Sequence, residues 1–199
     1  ARSLGERTDR GSGNASHAIT LALPGRITRG KGHFVALEAV GSLLNDGVPA
    51  RLEIIGSGPL EGEVRQRISK KGLGDNVRIV DVNVHTDLLQ SVAAADICLV
   101  PSLHEGFGIV ALEAMQLGVP LVVSDAGGLP EIVEHGVTGL VVSSGEAGAL
   151  RDACRKLIES PGLRASLASA AKERVQDYSI DRVGARWLAL YGSLRGDGR

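Results

Sequence analysis

The sequence predicts an α/β fold in which about six parallel strands form a Rossmann-like, doubly wound sheet. Short apolar runs alternate along the chain with longer segments whose apolar residues recur at helical spacing. The apolar runs are nearly continuous, as expected for strands of a parallel sheet that helices cover on both faces. The 27 glycines fit the same fold, because tight turns between strands and helices favour glycine.

The first half of the chain is predicted to hold three strand–helix pairs. Each strand is a short run of aliphatic residues, and each helix has apolar residues spaced three and four apart. In chain order, these strands and helices are expected at 19–25, 33–46, 50–56, 60–72, 76–82 and 87–95.

The second half continues the alternation and then ends in helices alone. Strands are expected at 97–100, 120–124 and 138–143, with helices at 109–117 and near 129–136 between them. Three further helices are expected at 147–160, 163–178 and 180–194, the second of them following Pro161.

Residues 1–17 differ from the rest of the chain. They hold few apolar residues and show no periodicity, which predicts a flexible lead-in or linker. Residues 18–199 are expected to form one domain, which includes the C-terminal helices at 147–194.

Charge and hydropathy argue against several classes of protein. The net charge is −1, so the chain has no electrostatic footprint for nucleic acid. No run approaches the ~20 apolar residues of a membrane span, and no signal-peptide pattern opens the sequence. Cys98 and Cys154 lie in apolar or helical patterns and are expected to be ordinary thiols. These features favour a reducing, cytoplasmic location.

The most informative segment is SLHEGFGIVALEAM at 102–115. Glu105 and Glu113 bracket a Gly-Phe-Gly turn between a predicted strand and the helix that follows it. Ligands of open α/β sheets bind at this end of the strands, and the turn offers free N–H groups to an anion. Two carboxylates suit a polyol, so the pattern favours a sugar nucleotide. The alternative for Glu113 is an exposed glutamate on a helix face.

The loop after the first strand, GRITRGKG at 25–32, has the composition of a phosphate-binding turn. Its glycines free the backbone, and Arg26, Arg29 and Lys31 supply positive charge at the start of a helix. Arg26 follows the strand directly and is favoured over Arg29 for reaching the cleft. The alternative is a solvated basic loop.

Three further features have a structural and a functional interpretation. GSGP at 56–59 could approach a ligand, but close packing of strand and helix is favoured. His85 and His104 are interpreted chiefly as surface histidines rather than general bases. Glu131 is interpreted as a cap of the short helix that follows Pro130.

Together, these motifs resemble the C-terminal, donor-binding domain of the retaining glycosyltransferases of family 4. Those enzymes have the GT-B fold, in which two Rossmann-like lobes face each other across a cleft. The resemblance covers nearly all of residues 19–193 and has Glu-x7-Glu as its most specific element. It rests on GR-x4-KG, GSGP, AAAD-x4-PS, EGFG-x4-E, GG-x-PE and G-x-TG in that order.

The resemblance implies a role for each matching position. Arg26 and Lys31 would grip the donor diphosphate, and Glu105 would bind hydroxyls of the transferred sugar near the reacting carbon. These three are the implied catalytic residues, and Glu113 would bind the ribose. The remaining donor contacts would come from Val82 and Asn83 at the base, from the backbone of Gly106, Phe107, Gly108 and Ile109, and from Val110 in the nucleoside pocket.

The resemblance also implies a donor and partners. The donor would be a UDP-, GDP- or ADP-sugar, with no cofactor and no metal, since no Asp-x-Asp signature is present. An N-terminal lobe outside this chain would bind the acceptor, so the chain alone is expected to be inactive. Any contact with the inner face of a membrane would also lie in that lobe. The helix at 180–194 would pack back toward it, although ordinary helix packing of Trp187 and Tyr191 is an equal alternative.

Other functions remain open at this level. A sugar-nucleotide epimerase or a phosphorylase can have the same two-lobed architecture. A binding module without catalysis could also have kept the pocket. One segment departs from the family pattern, because IVDV at 79–82 stands where a Phe-Leu-Gly-like strand end is usual.

Overall fold

The computed structural model describes residues 18–82 and 84–196 of the chain. The predicted lead-in at 1–17 and the predicted base contact Asn83 lie outside the described residues. The strands are β1 (Ile19–Pro24), β2 (Ala50–Ile55), β3 (Val77–Val80), β4 (Ile97–Val100), β5 (Leu121–Ser124) and β6 (Leu140–Val142). The helices are α1 (His33–Asn45), α2 (Glu61–Lys70), α3 (His85–Ala94), α4 (Ile109–Gln116), α5 (Leu129–Ile132), α6 (Ala147–Glu159), α7 (Pro161–Arg174) and α8 (Ile180–Gly196).

The six strands form one parallel sheet in the order β3-β2-β1-β4-β5-β6, which confirms the predicted fold class. The chain builds the sheet outward from β1 to β3, then returns to the other side of β1 with β4. The loops that follow β1 and β4 therefore leave neighbouring strands at the point where the strand order reverses. Doubly wound sheets bind their ligands in the crevice at this point.

Helices cover both faces of the sheet and form an apolar cluster on each. The first cluster includes residues of α1, α2 and α6, and the second includes residues of α3, α4 and α5. Strand β4 supplies both, since Ile97 and Leu99 join the first cluster while Cys98 and Val100 join the second. This two-sided burial explains why the strands read as uninterrupted apolar runs, each buried Leu or Ile contributing about 2 kcal/mol.

Two helix starts differ from the prediction. Helix α7 begins at Pro161 rather than at 163, because the fixed φ of proline suits the first turn of a helix. Helix α3 begins at His85, not at Asp87, so His85 is a helical residue and not a loop residue. The predicted C-terminal part of α7 is a separate 3-10 turn, Val175–Tyr178.

The last helix stands apart from the apolar clusters. Helix α8 packs mainly on the 3-10 turn Val175–Tyr178. Its large apolar side chains are exposed, including Ile180 at 90% and Leu188 at 75%. Within residues 18–82 and 84–196, no helix is long and apolar enough to cross a membrane.

Candidate functional site

The loops after β1 and β4 pack directly against each other. The backbone N–H groups of Leu103 and His104 both donate to the carbonyl of Gly30, at 2.8 and 3.2 Å. Gly32 has φ of 72°, and a Cβ placed on it would lie 1.8 Å from the carbonyl oxygen of Pro101. Only glycine fits at position 32, and it allows the loop after β1 to pack closely against the loop after β4.

An ion pair joins the two loops at the mouth of the crevice. The Lys31 ammonium lies 2.8 Å from Oε2 of Glu105, and the Ser102 hydroxyl donates to the same oxygen at 2.9 Å. The Glu105 side chain is only 11% exposed, whereas the Lys31 side chain is 31% exposed. The carboxylate is thus held in place, and the ammonium remains accessible from the crevice.

Unpaired backbone N–H groups lie beside this ion pair. Helix α4 starts at Ile109 after Gly108, which has φ of 88°. In the described part of the chain, the N–H groups of Gly106, Phe107, Gly108 and Ile109 make no backbone hydrogen bond. A run of free N–H groups at a helix N-terminus is suited to binding an anion.

The turn that carries Glu105 is also held by the loop after β5 and by two serine hydroxyls. A Cβ on Gly127 would lie 1.7 Å from the carbonyl oxygen of Glu105, so the loop after β5 touches this turn backbone to backbone. The hydroxyls of Ser124 and Ser144 both donate to the carbonyl of Ser102, at 2.5 and 3.1 Å. No sequence pattern predicts a role for Ser124 or Ser144, and only Ser102, in the PS that follows β4, lies in one of the family motifs.

Glu113 lies one turn into α4 and contacts α3. Its Oε1 is 3.0 Å from Nε2 of His85, and its side chain is 19% exposed. Glu113 is therefore not the exposed helix-face glutamate that stood as the alternative, whereas His85 is a surface histidine as predicted, although in a helix rather than a loop. Cys98 lies in the neighbouring strand β4. Burial raises the pKa of its thiol to about 12, and the charge of Glu113 contributes to the shift.

The arginines of the first loop are not part of the ion pair. Arg26 and Arg29 are both exposed, and neither has a hydrogen bond or ion pair with another described residue. The structure does not bring Arg26 to Glu105. Val82 follows β3 and is half-buried, as is Val110 on α4, whereas Phe107 and Ile109 are 57% and 63% exposed.

Two weaker predictions have clear structural outcomes. The GSGP turn serves close packing, because Cβ atoms on Gly56 and Gly58 would lie 2.5 and 2.4 Å from backbone oxygens of the first loop. Glu131 lies inside α5 and makes no side-chain capping bond, so its interpretation as a cap is wrong.

A buried histidine follows Lys31 and Gly32 in the sequence. His33, the first residue of α1, is 1% exposed, and neither ring nitrogen has a hydrogen-bond partner among the described residues. Burial lowers its pKa from 6.5 to about 4, the nearby Thr28 backbone opposes the shift, and the Lys31 charge adds to it. The ring is therefore neutral at physiological pH.

The family model for glycosyl transferases group 1 matches residues 6–174 of the chain. The chain belongs to the group 1 glycosyltransferases. Curated relatives of this group 1 domain include the D-inositol 3-phosphate glycosyltransferase of Actinosynnema mirum, with 36% identity over 94% of this chain and 47% of the relative. Alpha-D-kanosaminyltransferase of Streptomyces kanamyceticus is 32% identical over 85% of this chain and 44% of the relative. The chain thus spans about half the length of the curated relatives it matches.

Solved structures show the same group 1 fold. HepE of Anabaena in complex with UDP has a TM-score of 0.80 and 26% identity, over 88% of this chain and 49% of HepE. The C-terminal domain of LpcC, a group 1 glycosyl transferase of Francisella tularensis, has a TM-score of 0.74 and 26% identity. That match covers 81% of this chain and 87% of the crystallised domain. This group 1 chain therefore has the fold of one GT-B lobe.

Proposed function

We propose that this group 1 glycosyltransferase domain binds a nucleoside-diphosphate sugar for retaining transfer of its glycosyl group. The observation that carries the proposal is the Lys31–Glu105 ion pair, beside free N–H groups, at the crevice between β1 and β4. A cation and helix N–H groups suit a diphosphate, and a buried carboxylate suits sugar hydroxyls. UDP in the similar structure of HepE supports the same class of ligand.

In this proposal, different residues of the crevice bind different parts of the donor. Lys31, the N–H groups at 106–109 and the exposed side chain of Arg26 bind the diphosphate. Glu105 binds hydroxyls of the transferred sugar, and Glu113 binds the ribose next to Val110. Val82 and Asn83 contact the base, an assignment that rests on the family resemblance.

The chemistry follows from where charge develops. As the glycosyl–phosphate bond breaks, negative charge grows on the leaving diphosphate. Lys31, Arg26 and oriented N–H groups stabilise that charge more strongly in the transition state than in the ground state. In the described ranges 18–82 and 84–196, no group of three or more His, Cys, Asp or Glu side chains is placed to hold a metal ion. No step of the proposed reaction uses a metal.

The proposal extends to domains and partners. Residues 18–199 act as the donor-binding domain, including the helices at 147–194, and 1–17 act as a linker. An N-terminal lobe of the same protein binds the acceptor, and transfer requires both lobes in the cytoplasm. The share of the relatives that this chain covers supports a second lobe of similar size. The transferase names of those relatives favour this function over an epimerase or a phosphorylase.

Calorimetric titration of the 199-residue chain with UDP, GDP and ADP tests the donor proposal. We expect one of the three to bind with at least millimolar affinity, because the diphosphate and ribose contacts come from this lobe. UDP is the first choice, since HepE binds it. If circular dichroism shows a folded chain and none of the three binds at millimolar concentration, the proposed function is wrong.

Lys31→Ala tests the diphosphate assignment within that experiment. We expect affinity for the nucleoside diphosphate to fall about 10-fold or more, the scale of a charge-assisted hydrogen bond. Affinity for the corresponding nucleoside should hardly change. Lys70→Ala is the matched control, since Lys70 is an exposed lysine of α2 that makes no ion pair within the described structure. Equal losses for nucleotide and nucleoside would show that Lys31 does not bind phosphate.

A further inference from the structure

We propose that His85 is a positioning residue for nucleoside binding, which holds Glu113 in the rotamer that receives the ribose hydroxyls. The inference deepens the proposed function and rests on it. It concerns a contact between two helices that the motifs of the sequence do not connect. His85 is the first residue of α3, and Glu113 lies in α4.

The geometry gives Glu113 a fixed and a free oxygen. Nε2 of His85 lies 3.0 Å from Oε1 of Glu113. Among the described residues, Oε2 of Glu113 has no hydrogen bond or ion pair, so it is available to a ligand. An imidazole N–H is a donor that a carboxylate oxygen can accept, and the 3.0 Å contact places the two groups within ion-pair distance.

The exposure of the two side chains indicates which one acts on the ligand. The Glu113 side chain is 19% exposed and lies between the helices, whereas His85 is 63% exposed at the rim. A glutamate has three side-chain torsions and loses much of its freedom when it binds a hydroxyl pair. A neighbour that contacts one carboxylate oxygen beforehand lowers that entropic cost, which is how a positioning residue raises affinity.

Helix packing makes the contact selective. Helices α3 and α4 lie side by side on the same face of the sheet, so His85 reaches Glu113 from the adjacent element. In the part of the chain that the structure describes, no other side chain forms an ion pair or hydrogen bond with the Glu113 carboxylate. Loss of the imidazole would leave the carboxylate free to rotate without disturbing the core beneath it.

His85→Ala in the 199-residue chain tests the inference by calorimetry. The ligands are whichever of UDP, GDP and ADP binds most tightly, and its 2′,3′-dideoxy form. We expect His85→Ala to weaken the ribonucleotide ~5- to 10-fold, a typical coupling between contacting side chains. The dideoxy form should bind the variant and the original chain equally, because it has no ribose hydroxyl for Glu113. The matched control, Thr86→Ala on the same exposed turn, should change neither affinity.

Two further variants separate positioning from a general effect on the loop. Gln in place of His85 can still donate to Glu113, so His85→Gln should restore at least half of the lost binding free energy. In a Glu113→Gln background, His85→Ala should cause no further loss, since its effect passes through Glu113. Equal weakening of the ribonucleotide and the dideoxy form, or full additivity of the two variants, would overturn the inference.

The outcomes also distinguish this inference from the proposed function. If the original chain binds a ribonucleotide and His85→Ala binds it equally well, only the role of His85 is wrong. If the folded original chain binds none of UDP, GDP and ADP, the proposed function is wrong, and the role of His85 is rejected with it.

Discussion

Lys31 and Glu105 neutralise each other in the free protein, at an Nζ–Oε2 distance of 2.8 Å. A donor diphosphate that binds Lys31 must therefore compete with the carboxylate for the ammonium. Under the proposed function, this competition would make Glu105 unfavourable for a bare nucleoside diphosphate and favourable for a sugar nucleotide, whose hydroxyls compensate the carboxylate. One side chain can in this way favour the substrate over the nucleotide product.

Glu105→Gln tests this competition. We expect the variant to bind UDP as tightly as the original chain or a few-fold more tightly, since the negative charge next to the diphosphate is gone. Where UDP is the nucleotide that binds, binding of UDP-glucose should weaken, so the ratio of the two affinities falls. Calorimetry with both ligands measures that ratio. A large loss of UDP affinity would instead show that Glu105 is needed to hold Lys31 for the diphosphate.

His33 makes folding stability depend on pH. Its pKa is about 4 in the folded chain against 6.5 for an unperturbed histidine, so the unfolded chain binds the proton more readily. Stability is therefore fully present above pH 6.5 and is lost as the pH falls toward 4. Between pH 7.5 and 5.5, the loss from this residue is about 1 kcal/mol.

Urea unfolding of the original chain and of His33→Leu at both pH values measures that contribution. We expect the original chain to lose about 1 kcal/mol more than the variant between pH 7.5 and 5.5. The comparison cancels the other titrating groups, because both proteins carry them. An equal loss in the two proteins would mean that folding does not lower the pKa of His33.

At the scale of the elements, the site depends on close backbone contacts between loops. Gly127 has φ of 54°, and a Cβ there would lie 1.7 Å from the carbonyl oxygen of Glu105. Neither backbone can move without shifting the loop after β5 or the turn that begins α4. The position of Glu105 is thus set by a neighbouring strand's loop as well as by its own.

Gly127→Ala should therefore destabilise the domain. We expect a loss of about 2 kcal/mol or more, from the steric clash and the left-handed backbone conformation together. Gly106→Ala is the control in the same region, because a Cβ there meets nothing within 4 Å. Its loss should stay below about 0.5 kcal/mol. Urea unfolding measures both, and similar stabilities for the two variants would contradict this account of the loop contact.

The sequence predicts elements better than it predicts contacts between them. Apolar runs predicted the position of every described strand, because burial on both faces of the sheet requires nearly continuous apolar residues along each strand. The start of α3 was placed too late because no side-chain cap precedes His85, and Asp87 looked like a first-turn residue. That error hid the contact with Glu113, which only the packing of α3 on α4 reveals.

The Lys31–Glu105 pair illustrates a second limit. Each residue lies in a motif visible in the sequence, and a parallel sheet places both at the same edge. Their direct contact requires β1 and β4 to be neighbours, and strand order is not encoded in a local pattern. The serines behind Glu105 depend on tertiary packing in the same way, since Ser144 comes from the loop after β6.

At the scale of the whole molecule, α8 carries apolar surface that the rest of the described chain does not cover. Ile180, Val183, Trp187 and Tyr191 recur at helical spacing and are exposed, and the rings of Trp187 and Tyr191 stack at 5.9 Å. An apolar stripe of this length usually marks a protein interface. In the proposed two-lobed enzyme, the N-terminal lobe is the surface that covers it.

Trp187 is the only tryptophan of the chain, so its fluorescence reports on α8 alone. The side chain is 55% exposed, and we expect ready quenching by acrylamide in the 199-residue chain. In a longer protein that adds the N-terminal lobe, with any other tryptophan replaced by phenylalanine, quenching should fall and the emission should shift to the blue. Both changes follow from removal of the indole from water when α8 packs on the lobe.

The concentration dependence of the same signal separates the lobe from self-association. Protection of Trp187 that appears in the 199-residue chain only at high concentration would indicate that a second copy covers the stripe. Protection in the longer protein at every concentration is expected if its own lobe does so, because a tethered partner acts at a high effective concentration. Equal quenching in both proteins would show that α8 stays exposed and that this helix does not join the two lobes.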